Sequence, residues 1–374
     1  MGPGLYFHVP FCPRKCAYCA FFSRPAEPGL VAAWLAGVAR ELETLPAGFA
    51  PESLFFGGGT PTALEETDLA RLLELVRSHR VFGSTCDKAR TGPDSAAEWT
   101  CEANPGTLTR AKAALLRAAG VNRLSLGAQS FDDATLRRLG RIHSAAETRE
   151  AVALAREAGF DNLGLDLIYG VPGVPFESFR ADVEAAIALN PEHVSCYCLE
   201  IEEGTPLARE AQADGIEISG DGQRAQFDWA RKRLAQGGWT HYEISNFAKP
   251  GRECRQNGLY WCGGDYVGIG PAAHSHWNGV RWGNSKELPR WTREFEERLE
   301  PDAKARETLV MGLRRIAGWS RDEFRAATGF DCDALRGAEI ARLAAAGLLA
   351  DESGRLRLAE DALFISDSVF AELV

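Results

Sequence analysis

The chain has 374 residues, of which 45% are hydrophobic and 25% are charged, an ordinary balance for a globular protein with one large and one smaller domain. Its formal net charge of −10 argues against a general nucleic-acid binder, which needs a basic surface. No apolar run approaches the roughly 18–20 residues that span a bilayer, and the strand-like run that begins at Leu5 leaves no room for a signal peptide. We therefore expect a cytoplasmic protein without a transmembrane segment.

Strand-like and helical segments alternate over the first 250 residues. Strands are predicted at 5–9, 53–56, 99–103, 123–127, 162–168, 193–199 and 239–244. Helices are predicted at 29–45, 65–80, 109–119, 132–139, 145–158, 176–189 and 221–236, with Thr109 as the N-cap of the third. This order predicts a parallel sheet with helical crossovers. Because six or seven such units are fewer than the eight of a closed barrel, we predict an α/β fold with a partial (β/α)6 barrel.

Three regions depart from this alternation. Residues 81–97 are rich in Gly, Ser, Thr, Asp and Pro, which predicts an inserted loop. Residues 251–289 are rich in Gly and Trp without clear periodicity, which predicts a long ordered loop inside a middle segment, 251–300. Helical patterns followed by a small hairpin predict a mainly helical, winged-helix-like C-terminal domain at 301–374. The predicted core domain is 1–250.

Three of the ten cysteines lie in one short loop directly after the first predicted strand, as Cys12-x3-Cys16-x2-Cys19. In a reducing compartment such clustering indicates metal binding rather than disulfides. Thiolates are the usual ligands of iron–sulfur clusters, and this spacing suits three irons of a cubane, with the fourth open to a small chelating ligand. A zinc site is the alternative, but it would need a fourth Cys or His at the spacing of a second pair.

Several polar residues are predicted at the carboxyl ends of the strands, where parallel sheets collect their ligands. They are Glu102, Gln129, Asp166 and the turn 57–60. Each has an ordinary explanation when taken alone: the glycine-rich run is a turn, the carboxylates are helix caps or salt-bridge partners, and Arg141 is a solvated surface residue. Their co-occurrence in one order along the chain is what indicates a site.

Seven motifs, taken together in chain order, resemble those of a known family. They are Tyr-Phe-His-Val-Pro-Phe-Cys at 6–12, Gly-Gly-Gly-Thr-Pro at 57–61, Glu-Ala-Asn-Pro at 102–105, Gly-Ala-Gln-Ser-Phe at 127–131, Arg-Ile-His at 141–143, Asp-Leu-Ile-Tyr-Gly-Val-Pro at 166–172, and Asp-Tyr-Val-Gly-Ile-Gly-Pro-Ala-Ala-His-Ser at 265–275. This set is similar to the HemN/HemW family of radical S-adenosylmethionine (SAM) proteins, which comprises oxygen-independent coproporphyrinogen oxidases and heme chaperones. The resemblance covers nearly the whole chain.

The resemblance implies two cofactors, a [4Fe–4S] cluster on Cys12, Cys16 and Cys19, and SAM. In the family, one electron from the cluster cleaves SAM into methionine and a 5′-deoxyadenosyl radical, while the protein supplies position and electrostatics. It also implies an electron donor for the cluster. The positions that match SAM contacts are Tyr6, Gly58, Gly59, Thr60, Glu102, Gln129, Arg141 and Asp166. Tyr18 is expected against the adenine, the 57–60 turn is expected to offer backbone amides to a carboxylate, and His274 is expected to complete the SAM pocket.

Two departures separate this chain from the oxidases of the family. The oxidases carry an extension ahead of the first strand and a fourth cysteine two residues after the third, where this chain has Phe21. The segment 254–266 instead resembles the HemW-like, heme-chaperone branch, which usually has His-Asn-x-x-Tyr-Trp with the His implicated in heme binding. Here Gln256 stands in place of that His, followed by Asn257, Tyr260 and Trp261.

The resemblance therefore implies a heme chaperone that binds heme or a porphyrin and transfers heme to acceptor proteins. Glutamine is a poor iron ligand beside imidazole, so the ligand is expected elsewhere, with Cys254, His241 and His274 as candidates. Two alternatives stay open, a coproporphyrinogen oxidase-like enzyme and a HemN-like radical SAM methyltransferase. The same departures argue against oxidase activity, and no catalytic residue is assigned.

Overall fold

The computed structural model describes residues 2–79, 97–216 and 219–374, and its core is a parallel sheet. Six strands pair side by side in chain order, each parallel to the next. They are β1 (Gly4–Val9), β2 (Ser53–Gly58), β3 (Glu98–Ala103), β4 (Arg123–Gln129), β5 (Leu163–Tyr169) and β6 (His193–Cys198). The predicted α/β fold with a partial barrel is confirmed. The insertion predicted at 81–97 lies, except for its last residue, outside the described residues.

Helices connect these strands, as parallel pairing requires, and two more helices follow β6. They are α1 (Pro28–Leu42), α2 (Glu66–Ser78), α3 (Arg110–Ala119), α4 (Asp133–Arg138), α5 (Ala145–Glu157), α6 (Phe176–Leu189), α7 (Pro206–Asp214) and α8 (Gly220–Gln236). Thr109 is the N-cap of α3, as predicted, and its hydroxyl accepts a hydrogen bond from the Lys112 amide. A capping box of Ser144 and Glu147 begins α5. Such caps satisfy backbone amides that have no partner within the helix, and each stabilises by about 0.5–2 kcal/mol.

The alternation of side chains along β1 divides the core from the site. Leu5, Phe7 and Val9 are fully buried in the apolar core, where Phe7 packs edge-on against Phe56 with ring centroids 4.8 Å apart. Because successive strand residues point to opposite faces, Tyr6 and His8 project to the other face of the sheet. That second face carries the polar residues described below.

The middle segment corrects one prediction, because 251–289 is not a long loop. It contains α9 (Arg255–Trp261), β9 (Tyr266–Ile269), β10 (His274–Trp277) and β11 (Val280–Asn284), followed by β12 (Arg293–Arg298). Strand β9 pairs parallel to β1, and β10 to β12 extend the same sheet in antiparallel order. These strands of four to six residues are too short and too rich in Gly and Trp to show a period-2 pattern.

The predicted strand at 239–244 also differs from expectation. It is β7 (Thr240–Glu243), which forms an antiparallel pair with β8 (Asn246–Ala248) rather than another parallel unit. Strand β8 pairs with β6, so β7 forms the opposite edge of the twelve-stranded sheet.

The C-terminal part has the predicted winged-helix-like character. It contains α10 (Pro301–Leu313), α11 (Arg321–Thr328), α12 (Cys332–Ala345) and α13 (Ser366–Ala371), with a small sheet of β13 (Trp319–Ser320), β15 (Arg355–Leu358) and β14 (Leu349–Glu352) in that order. It is joined to the core by backbone hydrogen bonds from Ile244 to Arg314 and from Ile316 to Tyr242. Among the described residues, no helix is both long enough and apolar enough to span a membrane.

Candidate cofactor site

The three clustered cysteines lie on the loop that follows β1. The loop is held at its base by backbone hydrogen bonds from Cys12 to Arg24 (2.9 Å) and from Arg24 to Pro10 (2.8 Å). Cys12, Cys16 and Cys19 are half-buried free thiols. In the described part of the chain, their sulfur atoms do not meet within 4.8 Å of one another, so the loop is not closed around a single ion. A cubane, which binds each cysteine at a different iron, fits this wider arrangement.

Each end of the cysteine loop receives polar contacts from the sheet. The Cys12 sulfur lies 3.4 Å from the Thr60 hydroxyl, and Arg141 donates from Nη1 to the Cys16 sulfur over 3.3 Å. Burial raises the pKa of Cys12 and of Cys19, and the neighbouring Cys16 raises both further. Thiols that oppose one another's ionisation in this way favour a positively charged metal centre among them.

The glycine-rich turn packs directly against the cysteine loop. A Cβ atom on Gly59 would lie 2.6 Å from the Val9 carbonyl oxygen, so only glycine fits there. The Gly59 amide donates to Val9 (2.9 Å), the Thr60 amide donates to Phe11 (2.7 Å), and the Gly58 amide donates to the Glu102 carboxylate (3.2 Å). The sequence predicted that this turn offers backbone amides to a ligand carboxylate. In the structure these three amides are bonded within the protein instead, and they position the cysteine loop and Glu102.

Two buried carboxylates, on strands separated by β4, interact electrostatically across the sheet. Glu102 is on β3, and Asp166 on β5 accepts hydrogen bonds from the hydroxyls of Ser195 (2.7 Å) and Ser125 (3.2 Å). Burial, and then the charge of Asp166, raise the pKa of Glu102 to about 8. Burial also raises the pKa of Asp166, against the opposing effects of Ser195, Arg123 and Ser125. A cationic ligand beside this pair would favour ionisation of both.

Gln129 and Arg141 present polar atoms without protein partners. Among the described residues, Gln129 Oε1 and Arg141 Nε are buried and have no hydrogen-bond partner. Gln129 ends β4 at a register shift and has a φ of 64°, a left-handed conformation that costs a non-glycine residue about 1–3 kcal/mol. Arg141 is fixed by its bond from Nη2 to the Gly127 carbonyl (2.8 Å). A strained acceptor and a fixed donor suit a polar ligand beside the cluster loop.

The two predicted tyrosines frame the same region. The Tyr6 hydroxyl lies 3.2 Å from His8 Nδ1, and burial, followed by the charge of Glu102, raises the pKa of Tyr6. Tyr18 packs against the apolar cluster that includes Leu139. Burial raises the pKa of Tyr18 despite the nearby Arg141 guanidinium. The structure thus brings Tyr6, Tyr18, the turn, the carboxylates, Gln129 and Arg141 to one edge of the sheet.

His274 lies apart from that group. It begins β10, is exposed, and lines a cavity of about 730 Å³ that also reaches Tyr6. Tyr260 and Trp261 of α9 line this cavity and a second one of about 760 Å³, on which Asn257 also lies.

Gln256 faces neither of these cavities. Its side chain is 1% exposed, its Oε1 accepts a hydrogen bond from the Ser53 hydroxyl (2.6 Å), and its Nε2 donates to the Tyr260 hydroxyl (2.8 Å). The Oε1 end of the amide therefore holds α9 against β2, while the Nε2 end fixes the Tyr260 side chain within α9.

Sequence reasoning missed the residues that surround Asp166. Ser125 and Ser195 bond to its carboxylate, and Arg123, only 2% exposed, is the buried cation below it. Ser195 lies opposite Asp166 in the register of β5 and β6. Predicted strand registers would have indicated this pairing, since all these residues occupy the same face of neighbouring strands.

Comparison with known proteins defines the class first. The Radical SAM superfamily model matches residues 6–186, and the HemN C-terminal domain model matches residues 299–365. Among solved structures, coproporphyrinogen III oxidase (HemN) from Escherichia coli matches with a TM-score of 0.81 over 100% of this chain and 90% of that chain. At 22% identity this match shows the fold. The chain therefore consists of a radical SAM domain followed by a HemN-type C-terminal domain.

Curated relatives define the family more narrowly. Heme chaperone HemW from Bacillus subtilis is 31% identical over 378 residues, covering 98% of this chain and 97% of the relative. Heme chaperone HemW from Mycobacterium tuberculosis is 40% identical over 290 residues, covering 76% and 72%. Heme chaperone HemW from Escherichia coli is 38% identical over 275 residues, covering 72% and 69%. This chain belongs to the HemW family, whose radical SAM domain implies a [4Fe–4S] cluster and SAM.

Proposed function

We propose that this protein is a heme chaperone that holds its [4Fe–4S] cluster through Cys12, Cys16 and Cys19 and binds SAM beside it. The observation that carries the cofactor site is the convergence, on one edge of the sheet, of three half-buried thiols, two interacting carboxylates and two buried polar atoms that have no hydrogen-bond partner among the described residues. Clustered thiols and carboxylates whose pKa values are raised by burial are typical of a ligand site.

The residues of the site have distinct proposed roles toward SAM. When bound and reduced, the cluster supplies one electron to SAM. Glu102 and Asp166 face the cationic parts of the ligand. A positive charge there favours the ionised carboxylates, which burial disfavours. Arg141 Nε and Gln129 Oε1 offer one donor and one acceptor. Tyr6 and Tyr18 exclude water from the two sides of the pocket.

The heme part of the proposal is supported by the HemW relatives and by the cavity next to the cluster loop. The relative from Bacillus subtilis is named a heme chaperone and matches nearly end to end. Phe21, at the position where the oxidases have a fourth cysteine, is 66% exposed and lines the cavity of about 730 Å³. The proposed partners are heme or a porphyrin, heme-acceptor proteins and an electron donor.

A radical enzyme is the second candidate, and one observation favours it. The cavity of about 760 Å³ opens at the carboxyl ends of β5 and β6, where it is lined by Tyr169, three residues after Asp166, and by Tyr197, two residues after Ser195. That space is where a substrate of an oxidase or a methyltransferase would meet SAM. Detection of 5′-deoxyadenosine together with a modified porphyrin or methylated product would favour this candidate.

The domain division and the location are also proposals. The division into 1–250, 251–300 and 301–374 is supported at its second boundary by the C-terminal model match at 299–365. A reducing, cytoplasmic location is supported by the cysteines, because all nine that the structure describes are free thiols.

Two measurements on anaerobically reconstituted protein test the proposal. The wild type should hold about four irons per chain, as one cubane requires, and Cys12→Ala/Cys16→Ala/Cys19→Ala should hold none. A matched control, Cys332→Ala, removes a buried thiol of the C-terminal domain and should keep the full iron content. Heme loaded on the wild type should then transfer to an apo-hemoprotein acceptor. Full iron in the triple variant contradicts the cluster assignment, and failure of transfer contradicts the chaperone function.

A further inference from the structure

We infer that the iron of bound heme is ligated by His274, and that Lys304 and Lys286 hold the heme carboxylates, in the cavity of about 730 Å³ beside the cysteine loop. This inference rests on the proposed heme-binding function and specifies its site. The ligand class is an iron tetrapyrrole, which is flat and apolar over its faces, carries carboxylates at one edge, and needs an axial ligand for iron.

The walls of the cavity match the faces of such a ligand. Phe21 and Phe22 come from the cysteine loop, Tyr260 and Trp261 from α9, and Tyr266 from β9. The volume lies within the roughly 300–1,000 Å³ that is typical of pockets for ligands of this size class. Aromatic side chains at several walls suit the stacking and edge contacts that a planar ring system makes.

Cations in the lining of the cavity match the carboxylates. Arg281 is already committed, since it forms ion pairs with Glu297 (2.6 Å) and Glu307 (3.2 Å). Lys304 and Lys286 also line the cavity, and within the described ranges neither has an ion pair within 4.0 Å. Burial lowers the pKa of Lys304 against the opposing effects of Glu307 and Asp265, and a ligand carboxylate beside it would further stabilise its charged form.

Among the described residues, three histidines line the cavity, and one of them has an accessible ring nitrogen to offer. His8 uses both ring nitrogens, one near the Tyr6 hydroxyl and one toward the Phe22 carbonyl (2.9 Å). His276 is buried and directs Nδ1 to Asp265 (3.2 Å), with Nε2 inaccessible. His274 is exposed, and its ring contacts Phe295 with centroids 5.6 Å apart.

The other ligands considered from sequence are used elsewhere. The Cys254 sulfur is buried and bonds to Glu98 (3.6 Å). His241 directs Nε2 to the Ile244 carbonyl (3.0 Å) and Nδ1 toward Arg231 (3.4 Å).

This site lies next to the SAM site without being part of it. Tyr6 borders both, because it lines the cavity and interacts electrostatically with Glu102. His274, which the family resemblance placed in the SAM pocket, is thereby assigned to heme instead.

Hemin titration followed by absorption spectroscopy tests the assignment on the full-length, cluster-loaded protein. His274→Ala should weaken hemin binding about tenfold or more and shift the Soret band, and added imidazole should restore the wild-type spectrum. His79→Gln, a substitution outside the cavity, should leave both unchanged. Lys304→Ala/Lys286→Ala should weaken hemin about tenfold, but should not weaken its dimethyl ester, which lacks the carboxylates.

Metal-free protoporphyrin separates ligation from loss of the cavity. It should bind wild type and His274→Ala with equal affinity, because it has no iron to ligate. A wild-type Soret band and affinity in His274→Ala would overturn the inference while leaving the chaperone function standing. Absence of saturable hemin binding by the wild type would overturn the proposed function itself.

Discussion

The buried carboxylate pair predicts a steep pH dependence of SAM binding. Glu102 has a pKa raised to about 8 by burial and by Asp166, so at neutral pH it is mostly protonated in the protein without ligand. SAM is cationic and favours the ionised form of Glu102. Below pH 8, binding must therefore release a proton from Glu102, and each pH unit costs about 1.4 kcal/mol.

The magnitude follows from that pKa. If SAM drives Glu102 fully to its ionised form, the dissociation constant falls about 50-fold between pH 6 and pH 8 and then levels off. The direction is fixed by the sign of the ligand charge: affinity rises as Glu102 deprotonates. At pH 7, close to one proton should be released for each SAM bound.

Calorimetry of the anaerobic protein measures both quantities. Titrations at pH 6, 7 and 8, in two buffers with different ionisation enthalpies, give the dissociation constant and the number of protons released. Glu102→Gln keeps an acceptor for the Gly58 amide but cannot ionise, so its SAM affinity should lose the extra pH dependence. The amino group of SAM, with a pKa of about 7.7–8.0 for its type, titrates equally with both proteins and cancels in the comparison. Equal pH dependence in wild type and Glu102→Gln would refute the reasoning.

Three other substitutions separate the roles of individual residues. Asp166→Ala should weaken SAM binding about ten- to a hundredfold, because a contact to a charged group is lost, with iron content unchanged; equal SAM affinity by dialysis would remove Asp166 from the site. Gln256→His should not tighten hemin binding. It should lower the free energy of unfolding by about 1–3 kcal/mol, because Ser53 and Tyr260 lose buried partners. Tighter hemin binding by this variant would contradict the structural role of Gln256. Gln129→Gly should stabilise the fold by about 1 kcal/mol in denaturant melts by removing the left-handed strain, yet weaken SAM binding; unchanged SAM affinity would show that Gln129 contacts no ligand.

The parallel core was predictable because its signals are local. Buried parallel strands are short apolar runs, the helices between them have helical periodicity, and polar residues at the strand ends mark the ligand edge. Glu102 and Asp166 stand out for that reason. Thr109 was likewise predictable as a cap, since its role depends on residues three positions away.

The remaining features depend on contacts between distant parts of the chain. Strand β9 exists because residues 266–269 pair with residues 4–7, a pairing that no local pattern reveals. The role of Gln256 depends on Ser53, 203 residues away in sequence. The amides of the glycine-rich turn are bound by Val9, Phe11 and Glu102, contacts that the sequence of the turn does not reveal. A local sequence pattern indicates which helix or strand a residue belongs to, whereas the contacts of its side chain depend on the tertiary fold.

The most direct test of the central claim is the electron paramagnetic resonance spectrum of the reduced, reconstituted protein with and without SAM. Three cysteine ligands leave one iron of the cubane open, and the account predicts that SAM binds there. Addition of SAM should therefore change the g values of the reduced cluster. A cluster signal that SAM leaves unchanged, at concentrations where binding is saturated, would contradict the account.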